Sequence, residues 1–192
     1  MKMKLSYLFT LLFTATVAVA TATPSKVLLP VKRDASSVVS AVNTISTQLV
    51  TLNTTVSSYP GGIEGTLSAL QIQAETIQLE VDLKAAIKLT RLSANFTDTE
   101  SQKVAEAFVT LEPQIASTLA NIVSKKSDFD DGLLGIASLS FLVKFDLQEL
   151  SILSKALGSA VQDKLSGTYA ELPPLILNEI SAAFKKAIAA YS

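Results

Sequence analysis

The chain lacks the side chains that carry most enzyme chemistry, because its 192 residues include no His and no Cys. This composition excludes a thiol nucleophile, a zinc site built on Cys or His, and a Ser-His-Asp triad. A pair of carboxylates could still act as acid and base. The acids that could form such a pair are scattered along amphipathic segments, where carboxylates ordinarily face water: Glu75, Glu80, Asp82, Glu106, Glu112 and Glu149. We therefore predict a protein that is not an enzyme and has no catalytic residue.

A second acidic cluster could bind a cation. Asp128, Asp130 and Asp131 precede Gly132, an order similar to the start of a calcium loop. The glycine is one position early, and Leu139 stands where such a loop has its bidentate glutamate. We interpret the cluster as the acidic start of a helix, where the unpaired amides favour negative charge. No metal and no cofactor is predicted.

The remaining chemistry is that of apolar surface, which could hold a lipid chain. Segment 133–145 is apolar almost all round, and Lys144 is its only charged residue. Each ligand methylene that becomes buried contributes about 0.8 kcal/mol, so a long acyl chain could bind without a catalytic group. The acid head of such a ligand would need a donor, for which Gln73, Ser140 and Lys144 are the candidates. The alternative for Lys144 is a side chain that extends from the rim into solvent.

Five helical stretches must position these side chains, because apolar residues recur at the spacing of helix faces. The first has the clearest pattern, a single narrow stripe with gaps of 4, 3, 4, 3, 4 and 3, formed by Val38, Val42, Ile45, Leu49, Leu52, Val56 and Tyr59. Such a stripe must be buried by partner helices. The stretches span residues 34–58, 63–93, 97–122, 128–157 and 171–191.

Local signals set the expected helix boundaries. Pro60, Gly61 and Gly62 form a turn after the first stretch. Thr97 and Glu100 form a capping box that opens the third. Pro113 predicts a kink or break near residues 109–112, because proline removes a backbone hydrogen bond. A further break or a short irregular helix is expected between Gly158 and Gly167.

The second and fourth stretches have more apolar surface than one contact requires. The second carries two stripes, which indicates burial on two sides. The sequence thus predicts an all-α, single-domain bundle of about five amphipathic helices. Ordinary close packing favours a solid core, and the alternative is a central hydrophobic cavity. The side chains expected to line such a cavity are Leu70, Ile77, Val81, Phe108, Ile115, Leu119, Ile136, Leu139, Phe141, Leu142, Phe145, Ile176, Ile180 and Phe184.

The N-terminal residues have the pattern of export signals. In residues 1–22, basic Lys2 and Lys4 precede an apolar run that is too short to span a bilayer, which favours a secretory signal over a membrane anchor. Residues 23–33 end in a dibasic pair and are interpreted as a short propeptide, with a surface loop as the alternative. The remaining residues, 34–192, would form the domain, which we expect to be secreted and extracellular, with no transmembrane segment.

Charge and sequons limit the partners of this domain. Removal of residues 1–33 takes away five basic residues and no acidic one, which leaves 11 basic and 17 acidic residues and a formal charge of −6. Such a charge argues against nucleic acid as a partner. Asn53 and Asn95 each begin a glycosylation sequon and must face solvent if they carry glycans.

The combination of these features resembles a family of fungal secreted proteins. Four features carry the resemblance: the dibasic junction before Asp34, the spacing of Val42, Ile45, Leu49 and Leu52, the turn at 59–62 and a helical body without Cys. In these features the chain resembles the hydrophobic surface-binding protein A family, which is related to the antigenic cell-wall galactomannoproteins. The similarity covers essentially the whole domain.

The resemblance implies a bundle of about five helices and, in the galactomannoprotein relatives, a hydrophobic cavity that binds fatty acids. We therefore expect a non-catalytic protein that takes up long-chain fatty acids or similar lipids. The alternative, also implied by the family, is an adhesin that adsorbs to hydrophobic surfaces and recruits a secreted esterase such as a cutinase. Because the chain ends at Ser192 without a Ser/Thr-rich stalk, we expect a released protein rather than one attached covalently to the cell wall.

Overall fold

The computed structural model describes residues 34–131 and 138–192, which are helical over most of their length. Within these two ranges there is no β-strand. The all-α class is therefore confirmed. The α-helices are α1 (Ala35–Ser57), α2 (Thr66–Leu92), α3 (Asp98–Ser124), the short α4 (Lys126–Asp130), α5 (Ser140–Gln162) and α6 (Leu172–Ala190), with a 3₁₀ helix (Gly167–Glu171) before α6.

The five long helices form a closed ring. Helix α1 packs on α2 and α3, α2 packs on α5, α5 packs on α6, and α6 returns to α3. Polar contacts fix the relative position of neighbours, since Ser46 of α1 bonds Gln114 of α3, and Thr55 of α1 donates to Glu75 of α2 over 3.0 Å. The prediction of a bundle of about five helices is confirmed, and the ring gives each long helix an inner and an outer face.

Helix α1 buries the whole of its predicted stripe, from Val38 to Val56, and Tyr59 just beyond it is buried as well. The outer positions are Ser and Thr, which are mediocre helix formers. Several of them donate to the carbonyl four residues earlier, as Thr44 does to Ser40 over 3.0 Å. Asp34 caps the helix by accepting the Ser37 amide over 3.0 Å. The intrinsic helix propensity of this segment is modest, so burial of its apolar stripe is what stabilises the helix.

One end of the ring is closed by aromatic side chains. The Tyr59 ring stacks on Phe129 of α4 with centroids 4.7 Å apart, and Phe129 meets Tyr191 edge-on at 6.3 Å. Gly61 allows the chain to turn here with a φ of 74°, and a Cβ at this position would lie 3.0 Å from the backbone oxygen of Asp128. The predicted turn thus brings the end of α1 against α4.

Helix α3 begins with the predicted capping box, in which Glu100 also accepts the Thr97 amide over 2.9 Å. Of the kink or break predicted near residues 109–112, the break is wrong, because α3 continues without interruption from Asp98 to Ser124. Pro113 is exposed, so water can reach the carbonyl group that loses its helical partner. The buried side chains on either side, Leu111 and Ile115, hold the helix against its neighbours.

The fourth predicted helix, 128–157, is also wrong in its extent. Helix α4 ends at Asp130, and α5 begins only at Ser140, while residues 132–137 lie outside the described residues. At its other end α5 continues past Gly158 to Gln162. A Cβ on Gly158 would lie 2.3 Å from Leu177, so this glycine permits close contact between α5 and α6 rather than ending a helix.

Candidate functional site

All five long helices contribute side chains to one apolar cavity at the centre of the ring. Its volume is about 40 Å³. Helix α3 contributes six of the wall residues, α1, α5 and α6 contribute three each, and α2 contributes two. The wall consists of Ile45, Leu49, Leu52, Leu79, Leu83, Phe108, Leu111, Ile115, Thr118, Leu119, Ile122, Leu150, Ser154, Leu157, Leu177, Ile180 and Phe184.

The size of this cavity bears on the choice between a solid and a hollow core. A single water needs roughly 10–15 Å³ of such space, so about 40 Å³ is far too small for a long acyl chain. The interior formed by the described helices is nearly close-packed, with a small apolar defect where the five long helices meet. A ligand of fatty-acid length could enter only if helices of the ring move apart.

Two hydroxyl groups interrupt the apolar wall. The Thr118 hydroxyl donates to the Gln114 carbonyl over 2.9 Å within α3. The Ser154 hydroxyl of α5 has no hydrogen-bond partner in the part of the chain that is described. Neither residue is among the side chains predicted to line a cavity. The inward position of Ser154 could have been predicted, because Leu150, Ser154 and Leu157 follow the 4-3 spacing of a buried stripe.

The structure brings together five of the side chains expected to line a cavity: Phe108, Ile115, Leu119, Ile180 and Phe184. Ile176 lies beside a smaller adjoining space of about 10 Å³, which Phe108 also borders. Leu139 is buried elsewhere, next to α4, where its amide donates to the Phe129 carbonyl over 2.9 Å. Leu142 is half-buried and away from the wall. Ile136 lies outside the described residues.

Five other side chains do not line the cavity, because they are exposed on the outside of the ring: Leu70, Ile77, Val81, Phe141 and Phe145. The expectation of an interior position for them is wrong. In α2 the two apolar stripes lie on opposite sides, and only the stripe that contains Leu79 and Leu83 faces inwards. The other stripe is open to solvent, although its spacing is that of a buried helix face.

The three polar residues expected at a ligand head group also lie away from the cavity. Gln73 hydrogen-bonds Asp146 between α2 and α5. Ser140 donates to Asp130 at the start of α5. Lys144 is half-buried one turn further along the same helix. None of the three is part of the wall. Gln73 and Ser140 form contacts between elements at the periphery of the ring, and Lys144 lies on α5 away from the wall.

Asp146 is the acid that the ring perturbs most. Burial between α2 and α5 is the main cause that raises its pKa to about 6; the hydrogen bond from Gln73 opposes the shift, and the negative charge of Glu80 adds a smaller contribution in the same direction as burial. By contrast, hydrogen bonds from Lys126 and Ser140 lower the pKa of Asp130. Asp130 is thus committed to structural contacts at the α4–α5 junction. Among the described residues no cluster of acids could hold a metal ion.

The two sequons differ in their surroundings. Asn53 is half-buried in α1, and its side-chain oxygen accepts a 2.8 Å hydrogen bond from the Asn121 side chain of α3. Asn95 is exposed in the connection between α2 and α3. Only Asn95 therefore meets the condition that an acceptor asparagine must face solvent. Within residues 34–131 and 138–192, no helix is long and apolar enough to cross a bilayer.

Known proteins share this architecture. The sequence profile described as hydrophobic surface binding protein A matches residues 35–163. A structure of Afmp4p in complex with palmitic acid is 32% identical, and the match covers 83% of this chain and 100% of that chain with a TM-score of 0.77. No curated protein sequence matches the chain.

Two further structures come from the MP1 protein of Penicillium marneffei. Its ligand-binding domain 1, complexed with arachidonic acids, is 17% identical over 80% of this chain and 95% of that chain, with a TM-score of 0.71. Its ligand-binding domain 2, complexed with multiple arachidonic acids, is 21% identical over 84% of this chain and 98% of that chain, with a TM-score of 0.73. At these identities the similarity shows the shared fold.

Proposed function

The chain belongs to the hydrophobic surface binding protein A family, and from this premise we propose that it is a binding protein for long-chain fatty acids. The observation that carries the proposal is the apolar cavity at which all five long helices meet. Palmitic acid in the 32% identical Afmp4p structure supports this ligand class. The acyl chain would lie between the helices, against Leu83, Leu119 and Phe184.

Binding of this kind requires the ring to widen. The wall is made almost entirely of hydrocarbon, so the ligand would replace contacts between side chains with contacts of the same nature. Each methylene transferred from water contributes about 0.8 kcal/mol, and a chain of fatty-acid length supplies enough of them to offset a loss of internal packing. The small defect at the centre is where separation of the helices would disturb the fewest contacts.

The ligand acid group would need a polar partner inside an apolar wall, because an unpaired buried oxygen costs several kcal/mol. Ser154 is the suitable residue, since it faces the cavity with its hydroxyl uncommitted among the described residues. Thr118, on α3, also lines the cavity, but its hydroxyl proton is donated to the Gln114 carbonyl. This assignment replaces Gln73, Ser140 and Lys144, which lie at the periphery.

The proposal includes no catalytic step. The described residues offer uncharged hydroxyl groups in the cavity and no acid or base beside them. Residues 1–22 and 23–33 lie outside the described residues, and we propose that they act as secretory signal and propeptide and direct the protein to the extracellular space. An Asn95-linked glycan would suit that location. A protein secreted in this way could also associate with the cell wall.

Adsorption to hydrophobic solids is the second candidate function, and the apolar side chains on the outside of α2 and α5 favour it. On a waxy surface these side chains would be removed from water without any change in the core. Recruitment of a secreted esterase such as a cutinase would then bring the enzyme to the same surface. The two functions differ in stoichiometry, because a cavity saturates at a small number of lipid molecules whereas adsorption scales with surface area.

Native mass spectrometry of the purified protein, before and after delipidation, tests the proposal. We expect a delipidated protein that takes up added palmitate or arachidonate in discrete steps. A protein that remains empty in the presence of either acid, while it is removed from solution by hydrophobic beads, would contradict the fatty-acid function and favour adsorption.

A further inference from the structure

Two rows of large apolar side chains are exposed on the outside of the ring that the described helices form. The row on α2 includes Leu67, Ile77 and Val81, which are 79%, 52% and 52% exposed. The row on α5 consists of Phe141, Phe145 and Ile152, which are 64%, 58% and 61% exposed. Single exposed apolar residues are common on protein surfaces, but contiguous groups of them mark interaction sites.

The two rows lie on the same side of the molecule. In an α-helix, two residues correspond to a rotation of about 200°, so Ile77 and Val81 are opposite the inward-facing Leu79. On α5, Phe145 and Ile152 stand in the same relation to the buried Leu147 and Leu150. Because α2 and α5 are neighbours in the ring, these outward rows are side by side. We call this surface the α2–α5 face.

The charge of the α2–α5 face differs from that of the domain as a whole. Every charged residue of α2 and α5 that is exposed is basic: Lys84, Lys88, Arg91 and Lys155. The acids of the same two helices are only half-exposed, and Glu80 is paired with Lys84 over 3.0 Å. A domain with a formal charge of −6 thus presents cations around its largest exposed apolar rows.

We propose that the α2–α5 face docks on the surface of an anionic lipid membrane. The apolar rows would enter the boundary between head groups and acyl chains, while Lys88, Arg91 and Lys155 would remain at the level of the negative head groups. Affinity of this type increases with the apolar area buried and with attraction to anionic lipid, at about 1 kcal/mol for each basic residue near the surface. The inference deepens the proposed function, because it assigns the surface on which acyl ligands reach the protein.

The charge pattern favours a membrane over other occupants of this face. A second copy of the chain would bring Lys88, Arg91 and Lys155, the exposed cations outside the Glu80–Lys84 pair, close to those of the other face, and like charges oppose such pairing. A neutral wax or polymer would bury the apolar rows but would gain nothing from Lys88 and Arg91. Only an anionic lipid surface uses both features.

Flotation of the secreted protein with vesicles tests the proposal. One set of vesicles contains phosphatidylcholine alone, and the other contains equal amounts of phosphatidylcholine and phosphatidylserine. We expect binding to the anionic vesicles that weakens as salt is added, because exposed charges are screened. Phe145→Ser should weaken binding roughly tenfold, since a large apolar side chain leaves the boundary region. Val50→Ser on α1, where Val50 is 54% exposed, is the matched control and should bind like the wild type.

A paired substitution tests the electrostatic part. Lys88→Gln should weaken binding to anionic vesicles about fivefold and leave binding to neutral vesicles unchanged. Lys103→Gln on α3, which removes an exposed cation from a different face, should have no such effect. Equal binding to both vesicle types, or equal losses in the Phe145→Ser and Val50→Ser variants, would overturn the proposal. A dimer that Phe145→Ser converts to a monomer would overturn it in favour of a second copy as the occupant.

The same variants separate this inference from the proposed function. Phe145 lies outside the cavity, so Phe145→Ser should bind palmitate in solution with wild-type affinity while it takes up palmitate from vesicles more slowly. If the wild type docks on anionic vesicles but binds no palmitate in solution, the proposed function fails and docking stands. If palmitate binds in solution and no variant changes docking, the α2–α5 face is not the surface involved.

Discussion

Gly158 of α5 and Leu177 of α6 pack so closely that a Cβ on the glycine would lie 2.3 Å from a Leu177 methyl group. Leu177 also lines the central cavity, so this contact sets the distance between two helices of the wall. A Cβ at residue 158 would therefore require the Leu177 side chain to move at the contact between α5 and α6. Gly158 itself is buried within α5.

Replacement of Gly158 by Ala should cost about 1–3 kcal/mol through overpacking of a buried site. Because Ala also gains about 1 kcal/mol in helix propensity over Gly, the net destabilisation should be up to about 2 kcal/mol. Urea unfolding at neutral pH measures the difference. Ser159→Ala, at the exposed neighbouring position, is the control and should leave the midpoint nearly unchanged. A Gly158→Ala variant as stable as the wild type would show that α6 moves away at little cost.

Replacement of Ser154 by Ala should weaken palmitate binding about three- to tenfold, because the ligand acid group would lose a hydrogen bond of about 1 kcal/mol in an apolar wall. The fold should be unaffected, since this hydroxyl has no partner among the described residues. Isothermal titration calorimetry on delipidated protein measures the affinity. Ser151→Ala on the same helix is the control. Unchanged affinity in the Ser154 variant would move the head group elsewhere in the cavity.

The raised pKa of Asp146, about 6, predicts how stability varies with pH. Between the ordinary pKa of aspartate and about 6, the folded protein holds a proton that the unfolded chain releases, so the free energy of unfolding falls as pH rises through this window. Above it, the buried carboxylate is charged and unfavourable. Asp146→Asn removes this penalty and should stabilise the protein at pH 8 by about 1–3 kcal/mol.

Urea unfolding at a series of pH values checks this prediction. The wild type should lose stability between about pH 4 and 6, and Asp146→Asn should lose less over the same interval. Asp163→Asn, which changes an exposed carboxylate just after α5, should follow the wild type. If Asp146→Asn loses as much stability as the wild type, the folded protein does not retain the proton on this residue.

Glycosylation should be confined to one of the two sequons. Asn95 is exposed in a connection, whereas the Asn53 side chain is bonded to Asn121 between α1 and α3. In a host that attaches N-linked glycans, Asn95→Gln should abolish the glycan mass and Asn53→Gln should preserve it. Intact-protein mass spectrometry distinguishes the two. A glycan that disappears only in the Asn53 variant would contradict the packing of α1 on α3.

Much of the fold follows from local patterns in the sequence. The 4-3 stripe from Val38 to Tyr59 is buried throughout, and the Thr97–Glu100 capping box opens α3 as expected. Both depend on residues within one helix. The helices continue past Pro113 and Gly158 for reasons that lie outside the local sequence. Pro113 is exposed, so the helix tolerates it. Gly158 allows close contact with Leu177 of the neighbouring helix.

The candidate site was harder to predict for a related reason. The spacing of Ile77 and Val81 is that of a buried stripe, and so is the spacing of Leu79 and Leu83 two residues away. Only the position of α2 in the ring decides which stripe faces inwards. The sequence therefore identified the apolar surplus but could not assign each row to the core or the exterior. The 4-3 spacing of Leu150, Ser154 and Leu157 predicts that Ser154 faces inwards, but spacing alone does not predict that its hydroxyl contacts a ligand.

The most direct test of the account is an isotope-filtered NOE measurement on delipidated protein loaded with ¹³C-labelled palmitate. We predict cross-peaks from the ligand methylenes to the methyl groups of Leu83, Leu119 and Leu150, which belong to three different helices of the wall. These contacts would show that the ring opens and closes around the acyl chain. Cross-peaks confined to Leu67, Phe141 and Phe145 on the α2–α5 face would contradict the cavity as the binding site.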